Sequence, residues 1–342
     1  MYNYLVKFTP LEPYFFGNEK AFSFGSVNGQ KNGEYYIKSE ERPSQTTIFG
    51  ALRYCCLNRA NANFTLDENI GTESFDMEKA ACQDFGVLKN VSPIFITDEK
   101  DNYYIKTPFD HKNKDTDKHE NKFYSPFSYK NSIETSLGER LFPCDFIAKD
   151  EITNSYVNME TKEIKDELFK SVIKIGIKKN KDRDGFFKKE YKLLKAGYSF
   201  AVFFKTEKEL SDKTVFLGQG KSAFSVKFTK KENDLEEKLQ GLFNENSREI
   251  AIALSDTYVS KEIYDFCLFS NIKTKEFRNF RTNSEAKSFY DRFKKSPCLK
   301  HLAEAGSMFI VKDKENFEKL INNENCQQIG LNKVFFTNKG DK

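Results

Sequence analysis

The stretch Phe216-Leu217-Gly218-Gln219-Gly220-Lys221-Ser222-Ala223-Phe224-Ser225-Val226 restricts the fold more than any other part of the chain. Phe224, Val226 and Phe228 alternate with polar residues, which predicts a strand with one buried face. Two glycines one residue apart stand just ahead of it. Without a Cβ their backbone can take positive φ and approach a bulky partner closely. Successive N–H groups in such a turn can form a concave nest for an anion, with Lys221 adding a point charge beside it. The loop lacks the G-x-x-x-x-G-K-[ST] spacing of a nucleotide P-loop, and it opens a strand rather than a helix. A dinucleotide-binding turn fails as well, since the third glycine and the following helix are missing. What stays open is a phosphate backbone running past the start of a strand, or a plain tight turn with an exposed lysine.

At 342 residues the chain is long for one domain, and two are expected. With 35 Phe and no Trp it has enough apolar surface for a sizeable core despite 31% charged residues. The seven cysteines form no C-x-x-C pair and are odd in number, which argues against a zinc ribbon and a disulfide framework. No basic-then-apolar leader opens the chain, and no apolar run approaches the roughly 20 residues that cross a bilayer. A cytoplasmic protein without a membrane partner is expected.

In chain order, residues 4–9 predict a first strand, followed by the aromatic segment Leu11-Glu12-Pro13-Tyr14-Phe15-Phe16. A helix begins after Pro43, with Ser44, Thr46 and Thr47 as candidate caps. Ile48, Ala51, Leu52 and Cys55 fall at i, i+3, i+4, i+7 and predict its buried face. Arg53 lies about 140° from Ile48 around the helix, off that face. Hydroxyl residues at a helix N-terminus suit a phosphate, so Ser44, Thr46, Thr47 and Arg53 are candidate phosphate contacts. An ordinary capped core helix reads the same way.

Residues 60–150 are the least regular part, and 101–130 predict an insertion loop in which the spacing of His111 and His119 is a weak metal signal. Strands are predicted at Val172–Ile177 and Tyr198–Phe204. The basic hairpin between them, residues 174–195, holds nine Lys/Arg against three Asp/Glu, a local +6. The whole chain carries only +4, so the remainder is net −2. Lysines interleaved with Phe186, Phe187 and Tyr191 suit nucleic acid, where cations neutralise phosphate and rings stack on bases. Lys178, Lys179, Lys181 and Arg183 are the candidates for electrostatic steering.

A short helix near Glu207–Leu210 and the strand 223–228 complete a β-α-β-β-α-β series. The charged run Lys230–Lys238 follows as a linker or exposed helix. A second, weaker copy of the plan has a strand at 248–254, a helix at Lys261–Phe269, a strand at 306–311, a helix at Lys314–Asn322, and a glycine turn at Gly330 entering a last strand. The predicted fold class is therefore α+β, with two ferredoxin-like domains covering 1–230 and 231–342. The first carries the insertion around 60–170 and the glycine-rich loop 217–222.

These motifs, in this order, resemble the RAMP superfamily of CRISPR proteins, and within it the third-subunit family of type III-B (Cmr) effector complexes. The resemblance rests on the aromatic segment Leu11–Phe16, on Pro43-Ser44-Gln45-Thr46-Thr47-Ile48-Phe49-Gly50-Ala51-Leu52-Arg53, on Gly176-Ile177, on the phenylalanine-rich strand, on the glycine loop and on Ala305-Gly306-Ser307. It departs from the family in the glycine loop, where Gln219 separates the two glycines and a single lysine follows. The fourth-subunit family of type III-A (Csm) complexes shares the plan. The resemblance implies a non-catalytic subunit with no cofactor that grips the 5′ handle of the CRISPR RNA. It also implies two protein partners, the large polymerase/HD-nuclease subunit and the first backbone RAMP subunit. Gly218, Gln219, Gly220, Lys221 and Ser222 would form the close-approach loop on the RNA.

The competing expectation is a CRISPR-RNA-processing endoribonuclease of the same superfamily. Metal-independent RNA cleavage most often uses histidine as acid and base. The three histidines, His111, His119 and His301, lie in the insertion and deep in the second half, away from the first helix and the glycine loop. A Tyr/Lys/Ser site stays open.

Overall fold

The computed structural model describes residues 1–18, 22–23, 35–57, 68–71, 73–112, 122–129, 132–136, 138–144, 146, 154–180, 183–243, 249–282 and 293–337. Strand β1 (Tyr2–Pro10) lies inside a nine-stranded sheet. Tyr4, Val6 and Phe8 enter one core while Leu5 enters another, so the middle of β1 is buried on both faces. Helix α1 (Gln45–Cys56) covers the first face. Ser44 caps it by accepting the Thr47 N–H. Its buried Ile48, Ala51, Leu52 and Cys55 share a core with Phe8, Phe200, Phe224 and Val226, as their helical spacing requires.

The irregular stretch 60–170 supplies five strands of this sheet: β2 (Leu88–Val91), β3 (Phe95–Asp98), β4 (Tyr103–Lys106), β5 (Tyr156–Asn158) and β6 (Ile164–Lys165). Each has two to four residues, too few to show a period, so only their neighbours define them. Next come β7 (Phe169–Asn180) and β8 (Arg183–Leu194), a long antiparallel hairpin. The other edge of β8 pairs in parallel with Tyr35–Lys38, which places the hairpin in a separate four-stranded sheet. The strand expected at Val172–Ile177 therefore belongs to the hairpin and not to the first sheet.

Strands β9 (Tyr198–Thr206), β10 (Lys213–Leu217) and β11 (Ser222–Lys230) complete the large sheet. Its order is β6-β5-β4-β3-β9-β1-β11-β10, with β2 also on β9. Its pairings are antiparallel, Phe8 standing between Phe200 and Val226. The short helix expected at Glu207–Leu210 does not form. The connection from β9 to β10 is brief and held as a turn, with the Glu207 N–H on the Val87 carbonyl at 3.0 Å and the Leu210 N–H on the Tyr4 hydroxyl at 3.1 Å.

The second half contains α2 (Leu235–Phe243), β12 (Ile250–Ala253), β13 (Cys267–Asn271), β14 (Met308–Val311), α3 (Lys314–Ile321) and β15 (Val334–Phe336). The four strands named here form one sheet in the order β13-β14-β12-β15, beside a three-stranded and a two-stranded sheet. The segment expected as one helix at Lys261–Phe269 is a 3-10 turn over Lys261–Phe266 that passes directly into β13. Leu235, Leu239 and Leu242 of α2, with Ile250, Ile252, Met308 and Ile310, pack on Leu5, Phe95, Tyr103 and Phe203. The two halves thus meet through a common core on the second face of the large sheet. The architecture is mixed α+β, with mostly antiparallel sheets and few helices. No helix of the described residues is long and apolar enough to cross a membrane.

Candidate nucleic-acid interface

Strands β10 and β11 form a hairpin closed by the Leu217–Ser222 pair. In its turn Gly218 has φ +73°, Gly220 +111° and Lys221 +54°. A Cβ on Gly218 would stand 2.3 Å from the carbonyl oxygen of Phe15, and the Gln219 N–H donates to that same oxygen at 2.9 Å. The close approach that this glycine permits is made to the chain's own aromatic segment, not left free for a ligand. Ser222 is buried and its Oγ donates to the Pro13 carbonyl at 3.2 Å, while the Ala223 N–H donates to Glu12 Oε1 at 2.8 Å. Gly220 differs: nothing lies within 4 Å of where its Cβ would be. Gln219, Gly220 and Lys221 are all exposed. They are the outward part of the turn; Gly218 and Ser222 anchor it.

The basic hairpin reaches the same place. Tyr14 and Lys192 exchange backbone hydrogen bonds at 2.8 and 3.0 Å. The Lys189 ammonium stands 3.8 Å from the Phe15 ring centroid and donates to Gln219 Oε1 at 3.3 Å. Burial at this spot lowers its pKa. Lys174 lies 4.5 Å from the centre of the Tyr191 ring. At the hairpin base, burial pushes the Glu190 carboxyl up. Hydrogen bonds from Ser171, Tyr36 and Lys192 outweigh it and hold the group down at about 2. Lys178, Lys179 and Arg183 lie in the strand backbone next to the hairpin tip, with side chains outside the described atoms; Lys181 lies outside the described residues.

The helix residues are used differently. The Ser44 Oγ lies 3.0 Å from Thr46 Oγ1 and 2.8 Å from Thr47 Oγ1, besides capping the helix. Arg53, expected off the buried face, donates from Nη2 to the Gly71 carbonyl at 3.0 Å and lies 5.6 Å from the Phe49 ring centroid. Burial lowers its pKa. Among the described residues no hydrogen bond joins this cluster to the glycine turn. His111 rests against Tyr124, ring centroids 6.0 Å apart, while His119 lies outside the described residues.

A second feature carries no sequence motif. At the foot of the hairpin a polar cavity of about 360 Å³ opens between the halves. Within it Arg42 bonds Asp256 at 3.0 Å, and Lys275 lies 3.6 Å from Asp256 and 3.7 Å from Glu40. Burial pushes the Asp256 carboxyl up, but Lys275 and Arg42 bring it below the ordinary range. Lys106 donates to the neutral amide of Asn154 at 2.8 Å and lies 5.4 Å from the Tyr156 ring centroid. Burial pushes it down to about 8. Of the cavity's lining, Arg42 stands next to Pro43 and Ser44, Glu190 and Lys192 belong to the basic hairpin, and Ala305 opens the Ala305-Gly306-Ser307 stretch.

The sequence that builds this turn matches a family model of a known class of protein. That class is CRISPR-associated proteins, and the matching family model covers residues 6–268. The chain belongs to the Cas_Cmr3 family and is a type III effector subunit. No curated protein matches it. The fold is similar to that of a chain in the type III-B Cmr-β complex bound to cognate target RNA and AMPPnP. The TM-score is 0.52 over 97% of this chain and 95% of that one, at 14% identity. A chain of the Csm3–Csm4 subcomplex of the type III-A interference complex aligns over 92% of this chain and 95% of its own, with 11% identity and a TM-score of 0.33.

Proposed function

We propose that this chain is the non-catalytic subunit of a type III-B effector complex that grips the 5′ handle of the CRISPR RNA. In that role it joins the large polymerase/HD-nuclease subunit to the first backbone subunit, in the cytoplasm. The observation that carries this reading is the convergence of three separate sequence features on one sheet edge. The exposed Gln219, Gly220 and Lys221 stand beside Lys189, and Lys174 lies over Tyr191, whose ring packs against Phe15. A small exposed backbone and several cations suit an RNA strand, whose phosphates supply most of the affinity. Lys178, Lys179, Lys181 and Arg183 steer the strand in. The hydroxyls of Ser44, Thr46 and Thr47 offer a second, weaker phosphate position, and Arg53 braces their helix from the Gly71 side.

The same reading includes two ferredoxin-like units that divide near residue 230. In the first half the order β11-β1-β9-β3 runs fourth, first, third, second in sequence, and β15-β12-β14-β13 repeats it in the second half. Strand β10 stands where the second helix of the first unit is expected.

The test is to incubate the purified chain with a repeat-containing RNA and run native and denaturing gels. A shifted, intact RNA, lost when the handle sequence is replaced, is the expected result; no shift refutes the reading. The cavity residues favour one other reading, a processing endoribonuclease, because burial lowers Lys106 to about 8, beside Tyr156, which brings its amine close to the range where it can exchange a proton. Discrete cleavage on the denaturing gel that disappears in Lys106→Met would establish it instead.

A further inference from the structure

We propose that the open end of the second face of the large sheet is a platform for a base of single-stranded RNA, with Phe216 as its stacking ring. The alternation of β10 turns Val215 and Leu217 inward and Thr214 and Phe216 outward. That of β11 turns Phe224 and Val226 inward and leaves Ser225 and Lys227 on the outer side. Residues directly opposite one another in an antiparallel pair share a face. Phe216 opposes Ala223 and Thr214 opposes Ser225; on the other side Ser225 opposes Thr9 and Lys227 opposes Lys7. These side chains therefore form one grid on one surface, continued by Ser199, whose Oγ lies 2.7 Å from Thr9 Oγ1.

At its far end this surface is covered, because Leu5 and Phe203 carry α2 and the second half of the chain. At the glycine-turn end it is open. Phe216 is 65% exposed, and among the described residues its ring meets no other ring. Lys227 is exposed and its ammonium has no ion pair among the described residues. A phenylalanine held outward on a strand keeps apolar surface in water that a polar residue would not.

The surroundings select the occupant. Phe216 and Leu11, 60% exposed, flank Ala223 in one short row, and hydroxyls and the Lys227 ammonium adjoin it; that row is smaller than the apolar centre that a protein partner buries. It matches what an unpaired nucleotide presents: a face to stack, hydroxyl and base-edge groups to bond, and a phosphate to neutralise. The surface also leads into the proposed RNA edge, since Gly218 follows Phe216 after one residue. The inference thus rests on the RNA-binding reading and extends it from the turn to the sheet.

The experiment measures fluorescence anisotropy of a labelled single-stranded RNA carrying the handle, titrated with the full chain and its variants. Phe216→Ala is expected to weaken binding about tenfold, the scale of one lost base–aromatic stack, while Phe216→Tyr stays near wild type. The thermal midpoint should not move in either variant, because the ring is mostly solvated. If wild type binds and Phe216→Ala binds equally well, the platform is refuted and the RNA-binding reading stands. If wild type does not bind, both fall. If Phe216→Ala keeps its RNA affinity but no longer assembles with the neighbouring subunits, the face belongs to a protein and the inference is overturned.

Discussion

Gly218 and Gly220 look interchangeable in the sequence, yet replacing each by alanine should have different consequences. At Gly218 an alanine would hold a left-handed conformation at φ +73°, which costs about 1–2 kcal/mol. Its Cβ would also stand 2.3 Å from the Phe15 carbonyl oxygen. No rotamer relieves that overlap, because the obstacle is backbone. The turn must withdraw, and the 2.9 Å bond from the Gln219 N–H to the same oxygen is lost, roughly another 0.5–1.5 kcal/mol. Together, Gly218→Ala should destabilise the protein by about 1.5–3.5 kcal/mol. At Gly220 the new methyl meets nothing within 4 Å, so only backbone strain of about 1–2 kcal/mol applies. Urea titrations of wild type and both variants, followed by tyrosine fluorescence, measure the difference. Equal destabilisation, or a larger effect at Gly220, would refute the view that Gly218 is glycine because of Phe15.

Other outcomes follow from the same geometry. Lys221→Glu should weaken handle-RNA binding and reduce its salt dependence while leaving the urea midpoint unchanged, since Lys221 is exposed in the turn. Lys106 titrates at about 8 in the fold and near its ordinary 10.5 when unfolded, so between those values unfolding takes up a proton and stability rises with pH. The melting temperature of wild type relative to Lys106→Met should therefore climb from pH 8 to pH 10; a flat difference would contradict the burial. Burial also pushes Cys55 and Cys56 up to about 11 and Cys267 and Cys326 up to about 12, whereas Cys82, Cys144 and Cys298 are exposed. At pH 8 a disulfide reagent should titrate those three thiols rapidly and all seven after unfolding.

Where the sequence was readable, the signal was local. The period-3.6 pattern of Ile48, Ala51, Leu52 and Cys55 identified α1 and its buried face, and the period-2 pattern of Phe224 and Val226 identified β11 and its glycine turn. The helix at Lys314–Ile321 and the strand after Gly330 were legible for the same reason. Strands β2 to β6 were not, because segments of two to four residues hold no period. Phe216 went unnoticed because an isolated phenylalanine beside a turn reads as core, and only the register with Ala223 shows that it points outward.

Periodicity, capping and turn chemistry depend on residues a few positions apart, and these the chain settles by itself: an α+β protein with a strand at its start, one capped helix and a glycine-entered strand. The tertiary structure decided everything that depends on pairs far apart in sequence. It set Gly218 on the carbonyl of Phe15, Arg53 on that of Gly71 and Lys189 over the Phe15 ring, and it gathered Arg42, Lys106, Asp256 and Lys275 around one cavity. Such contacts leave no local trace, because either partner alone is compatible with many others. Only strand order and register bring the two together.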